Sequence, residues 1–252
     1  MSHSHQDANQ TLVEHLAELR KCLVWSFLFV FVGFLVCWGV SEILFDLIRA
    51  PIQPYLKSST GGLVFTGPMD KFLAHIKISF LGGIITTSPL WMHQIWRFIS
   101  PGLYANEKRY GVGFIFSGTT LFLLGVSFVY FVVYPMAFNF LMNFGGTTDS
   151  PMITIGEYIS FFITTTIVFG LAFEMPLILT ILGMMGLVSD KFLVSKRRYA
   201  IVILAALSAI VTPPDVISMI MMMVPMVGLY EISILLVRIF AQKREKNNLS
   251  EY

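Results

Sequence analysis

Five stretches of this chain are long, apolar and nearly free of charge: Leu23 to Val40, Phe72 to Trp91, Gly111 to Tyr134, Tyr158 to Leu187 and Val216 to Val237. Roughly 20 such residues cross the hydrocarbon layer of a bilayer. In that medium every backbone N–H and C=O must be satisfied within the protein, so runs of this kind become helices. A sixth run, Ala200 to Val211, is shorter and is followed by "TPPD", so it pairs with Val216 to Val237 as a short hairpin. The composition agrees: 56% of the 252 residues are hydrophobic and only 13% are charged, more apolar than a soluble domain of this size requires. The expected fold is an all-α integral membrane protein with six transmembrane helices. No linker or fixed-period repeat divides it, which makes residues 1–252 a single membrane domain. Residues 1–22 form an N-tail, 23–237 the six-span bundle and 238–252 a C-tail.

The first apolar run begins too late for a typical cleaved secretory signal and lacks a small-residue cleavage site, so the first helix is expected to be retained. His3 and His5 form an H-x-H that reads as part of a disordered tail rather than a metal site. Cys22 and Cys37 fall about 22 Å apart along one helix, too far for a disulfide.

Charge sets the orientation, because cytoplasmic loops carry the Lys and Arg excess. Of the 17 basic residues, all but Arg49, Lys57, Lys71 and Lys77 lie in the N-tail, the second loop, the fourth loop or the C-tail. Both termini are therefore expected in the cytoplasm. The first loop has its own apolar pattern, "SEILFDLIRAPIQPYL", which predicts an amphipathic helix on the outer face, ended by Pro51 and Pro54. Pro135 is expected to stop the third span.

The fourth span poses a problem. "FGLAFEMPLIL" places Glu174 in an apolar run with Pro176 two positions later, and both are costly in a membrane. Pro176 frees the carbonyl of Ala172, so an acid and an unsatisfied acceptor sit together about 24 Å into the helix, in the inner half of the bilayer. One reading is a buried acid satisfied by that broken helix. The other is a docking point for a partner or for water, since intramembrane acids usually mark pathways. Glu18, before the first span, and Glu107, in the second loop, fall on the same face. They read either as ordinary acids beside bases or as a pair of forks for guanidinium groups. Asp215 either caps the sixth helix or has a functional role. Glu231 is placed to pair with a neighbouring helix, and Trp91, Trp96 and Tyr104 suit the water-lipid boundary.

Five motifs in order carry a resemblance: "HLAELRK" (15–21), "RAPI" (49–52), "QIWRFISPGLYANEKRY" (94–110), "FGLAFEMP" (169–176) and "TPPD" (212–215). Together they resemble the TatC family, the multispanning receptor subunit of the twin-arginine protein translocase, over about residues 11 to 240. The resemblance implies a receptor in the cell inner (cytoplasmic) membrane that binds twin-arginine signal peptides of folded precursors. It also implies TatA and TatB single-span partners, transport driven by the proton-motive force, and a homo-oligomer within a receptor complex. By the same resemblance Glu18, Glu107, Arg20 and Phe98 are signal-peptide-binding residues. Glu174, Pro176, Asp215 and Pro51 are partner or transport residues.

Other classes fit less well. A proton-coupled secondary transporter of a small solute would expect paired broken helices in two repeated halves, and the sequence offers one break. An enzyme is not expected, because neither H-E-x-x-H nor G-x-S-x-G is present. No cofactor, metal or nucleic-acid partner is called for; the surrounding partner is the lipid bilayer.

Overall fold

The computed structural model describes residues 3–56, 62–100, 111–143, 152–212 and 216–249, with backbone alone for 3–15 and 241–249. Apart from a short 3-10 turn, Gln53–Tyr55, and one parallel bridge between Val64 and Thr154, the described chain is built of helices and the turns between them. Four helical stretches are long and apolar enough to cross a membrane: Leu16–Gly39, Gly111–Asn143, Ile155–Met184 and Val216–Phe240.

The first helix, α1 (His3–Gly39), extends back through the polar tail, so the segment expected to be disordered is helical from His3. Ala, Leu, Glu and Gln there are good helix formers, and lengthening an existing helix gains one hydrogen bond per residue. The amphipathic helix of the first loop is α2 (Ser41–Arg49), ending just before Pro51 as expected. The second apolar run is divided at Thr87 into α3 (Asp70–Thr86) and α4 (Ser88–Ile99), which is why it is not among the four long stretches.

Pro135 does not stop the third run. After α5 (Gly111–Phe128) the chain widens into a π turn, Val129–Val133, and continues through Pro135 as α6 (Tyr134–Asn143). The wider turn shifts the backbone register just ahead of the proline, so its ring is accommodated without a break. The fourth run is α7 (Ile155–Phe173) and α8 (Met175–Met184), divided at Glu174. Gly186, at φ 77°, then reverses the chain in the left-handed conformation that favours glycine.

The fifth helix, α9 (Asp190–Val211), starts well before Ala200 because Ser189 caps it, accepting from the Phe192 amide at 3.1 Å. Its first turns carry Lys191 and Lys196 to Arg198, so only its second half is apolar. The sixth helix, α10 (Val216–Leu249), runs beyond Val237 through most of the expected tail.

In the bundle α1 lies on α3 and α4, α3 packs on α7, α5 sits between α4 and α7, and α10 closes against α8 and α9. Close approach depends on missing side chains: a Cβ at Gly83 would lie 2.6 Å from the Phe34 backbone nitrogen, and one at Gly170 would lie 2.6 Å from the Phe122 ring. The buried core is aromatic, with the rings of Tyr134, Phe138, Tyr158 and Phe162 in one group and Phe169 against Phe128. By contrast α1 leaves Phe27, Phe31, Val32 and Val36 exposed, a surface suited to lipid.

Candidate functional site

A groove of about 320 Å³ opens between α4, the start of α5, and the α7–α8 break. Its walls are apolar, with Phe98 and Ile99 from α4, Phe114 from α5, Ile178 from α8 and Met185 just after it. Glu174 lies on the same wall. Two candidates that are far apart in sequence, Phe98 and Glu174, therefore share one cavity.

Glu174 is only 4% exposed, and its Oε1 has no hydrogen-bond partner among the described residues. Its carboxyl faces the backbone amide of Phe122 on α5. The helix resumes immediately, with the Ile178 amide donating to Glu174 O at 2.9 Å, and Thr180 donates its hydroxyl to the Pro176 carbonyl at 2.6 Å. Pro176 therefore opens one turn rather than ending the span.

The α3–α4 break is a second interruption beside the first, and the sequence reading did not count it. Thr87 returns its hydroxyl to Gly83 O at 2.7 Å, and Trp91 donates its indole N–H to Ile84 O at 2.9 Å. Trp91 also meets the Phe122 ring edge-on, with centroids 5.2 Å apart. Both breaks thus converge on Phe122, Trp91 against its ring and Glu174 against its backbone. Gln94 Oε1 and Thr119 Oγ1, on α4 and α5, are further buried oxygens without a partner among the described residues. Of these oxygens the one on the groove wall is that of Glu174, and an apolar groove with such an acceptor can take an apolar segment that brings its own hydrogen-bond donor.

At the end where the Lys and Arg residues gather, Glu18 and Arg20 are exposed, and Glu18 makes no ion pair among the described residues. Glu107 and Asp215 lie outside the described residues. Glu231 pairs with Arg197 of α9 at 2.7 Å, as its position suggested, and Arg238 pairs with Asp190 at 3.3 Å. Tyr230 adds a bond to Leu193 O at 2.9 Å.

At the opposite end the contacts are of a different kind. Pro51 is half-buried, and Ile52 beside it is 1% exposed. Tyr130 donates to Leu47 O at 2.9 Å, Tyr158 donates to Ile48 O, and Tyr55 reaches Pro135 O at 3.5 Å. Val64 pairs with the chain entering α7, through Val64 N to Ile153 O at 2.9 Å and Ile155 N to Val64 O at 2.8 Å. Lys77 donates to Ser160 at 3.2 Å. The sequence reading missed these tyrosines. The available signal was a tyrosine inside an otherwise apolar span, which needs a partner for its hydroxyl.

Residues 14–225 match the family described as "TatC: Sec-independent protein translocase protein (TatC)". A protein of that name from Desulforapulum autotrophicum is 39% identical over 244 residues, covering 97% of this chain and 90% of its own length. One from Campylobacter jejuni is 40% identical over 230 residues, covering 91% and 94%. A solved structure titled "Crystal Structure of Twin Arginine Translocase Receptor- TatC" superposes with a TM-score of 0.81 at 36% identity, over 89% of this chain and 98% of the other.

Proposed function

Because the chain belongs to the TatC family of Sec-independent protein translocase proteins and is a twin-arginine translocase receptor subunit, we propose that its basic end captures twin-arginine signal peptides and that its groove serves the later transport step. The observation that carries this reading is the groove itself, which joins Phe98 near the basic end to Glu174 within the membrane. The solute-transporter reading has no support: the likeness covers nearly the whole chain, and it is to protein translocase subunits.

The protein is a multi-pass membrane protein. In our reading it has six spans in the inner membrane, formed by α1, α3–α4, α5–α6, α7–α8, α9 and α10, with both termini cytoplasmic. The clustering of basic residues at one end supports that orientation. Reporter fusions at residue 148 and at the C-terminus should then report opposite sides.

Glu18 and Glu107 are proposed to accept the two guanidinium groups, with Arg20 beside Glu18 and Phe98 packing the adjoining apolar part of the peptide. A guanidinium fork pairs bidentately with a carboxylate, whereas a lysine ammonium does not reproduce that geometry. Glu174 with Pro176, and the outer turns at Pro51 and Asp215, are assigned to contact with TatA and TatB partners or to transport. Assembly into a homo-oligomeric receptor complex belongs to the same proposal.

The test is peptide cross-linking in membranes. Glu18→Gln or Glu107→Gln should weaken capture of an Arg-Arg signal peptide by about tenfold or more, the worth of one charge-assisted hydrogen bond. A Lys-Lys peptide should bind poorly to the unmutated protein. Equal capture of both peptides would refute the fork assignment.

A further inference from the structure

We propose that Tyr130 and Tyr158 are positioning residues for transport: their hydroxyls hold the Pro51 turn on the third and fourth spans, and export needs this hold while signal-peptide capture does not. The functional half of this inference rests on the receptor reading above.

The argument begins with a missing donor. Pro51 has no N–H, so the Leu47 carbonyl four residues earlier loses its α-helical partner. The next amide, Ile52 N–H, turns back to Arg49 O at 3.2 Å and leaves the Ile48 carbonyl open. Within its own segment, Leu47 O receives only the Ala50 amide at 3.3 Å, which is shared with Asp46 O. Orphaned carbonyls beside apolar surroundings are costly, and something must supply donors.

The donors come from other spans. Tyr130 sits in the π turn Val129–Val133 of the third span and reaches Leu47 O at 2.9 Å. Tyr158, 3% exposed in the first turn of α7, donates to Ile48 O. Because the acceptors are backbone atoms, the α2 turn cannot move without breaking both bonds. The spans so gripped carry Phe114 and Glu174 at their other ends, so the turn is fastened to two of the elements that wall the groove.

The test uses the full chain in membranes, with Cys22 and Cys37 replaced by alanine and Ile52→Cys as a reporter. A membrane-impermeant maleimide added from the outer side reads how open the turn is. In the Tyr130→Phe/Tyr158→Phe background, labelling should accelerate by about tenfold and export fall by a similar factor, the scale of two net hydrogen bonds, while Arg-Arg peptide cross-linking stays within about twofold. Pro51→Ala supplies a second check. Its restored amide can serve Leu47 O, so adding Tyr130→Phe to it should cost less than the same change beside Pro51. The single Tyr→Phe variants serve if the double variant does not accumulate. Unchanged labelling, or faster labelling with full export, overturns the proposal, as does a parallel loss of peptide capture. If the unmutated protein fails to capture the Arg-Arg peptide, the receptor reading fails instead, and labelling still decides whether the hydroxyls hold the turn.

Discussion

The two ends of this bundle are fastened differently. At the Pro51 end, side chains and extended backbone from separate spans bond to main-chain carbonyls, as with Tyr130 to Leu47 O and Ile155 N to Val64 O. At the basic end one such bond is described, Tyr230 to Leu193 O between α9 and α10; the two ion pairs there are exposed and join the same two helices, and Glu18 is left without an ion pair among the described residues. A main-chain acceptor fixes a segment in place, whereas an exposed ion pair contributes little and is easily exchanged. The difference matches a division of labour: one end holds the spans in register, and the other leaves charge available for a ligand.

That division can be broken first at its strongest point. Tyr134 is fully buried, stacks on Phe162 and donates to its carbonyl at 2.6 Å. Tyr134→Ala should cost about 3–5 kcal/mol, read as a lower unfolding midpoint in detergent, because it removes a large side chain and leaves a cavity. A cost below about 1 kcal/mol would mean that the Pro51 end is not the firm one.

Glu174 sharpens the contrast from the groove. Glu174→Gln should assemble and capture signal peptide normally, yet lower export by about tenfold and alter TatA or TatB cross-linking from positions such as Phe169 and Phe173. Glu174→Leu should lower export further without loss of thermal stability, since it removes a buried carboxyl whose Oε1 has no partner among the described residues. Unchanged export and cross-links in both variants would make Glu174 a structural acid only.

Smaller effects are expected from the exposed contacts. Arg197→Ala should cost about 0.2–1 kcal/mol, and less in high salt, because the Arg197–Glu231 pair is close to half exposed on both sides. The smallest change concerns Asp70, whose carboxylate accepts from the Gly67 and Thr66 amides and from the Thr66 hydroxyl, which holds it below the usual carboxylate range. A depressed folded value stabilises the loop above the ordinary carboxylate value of about 3.9, and that contribution is lost as pH falls through the lower folded value. Hydrogen exchange at Gly67 should therefore speed up in acid more than other loop amides do, and Asp70→Asn should abolish the difference.

The sequence revealed the helical membrane architecture because apolar runs of membrane length have few alternatives. It revealed Glu174 and Pro176 because a charge and a proline in such a run need a reason. It misjudged Pro135, since a proline ends a helix only where the preceding turn is a regular α turn, and no residue pattern announced the π turn before it. It did not count the α3–α4 break as a second interruption, because Pro89 fell at the end of an apolar run where a helix could simply stop. Nor could it place Phe98 and Glu174 in one groove, because that depends on how α4, α5 and the α7–α8 break are arranged around it. The tyrosine-to-carbonyl bonds were hidden for a related reason: their acceptors are backbone atoms, identical at every position in a sequence.

The contact of Trp91 with Phe122 and Ile84 O has an optical consequence. Of the four tryptophans, Trp25 and Trp38 are exposed on the surface of α1 and Trp96 lies against Phe114, while Trp91 lines the groove with its indole hydrogen-bonded. A chain with Trp25, Trp38 and Trp96 replaced by phenylalanine would thus fluoresce from inside the groove. Its emission maximum and its quenching by an incoming bromine-labelled segment would report occupancy without an attached dye.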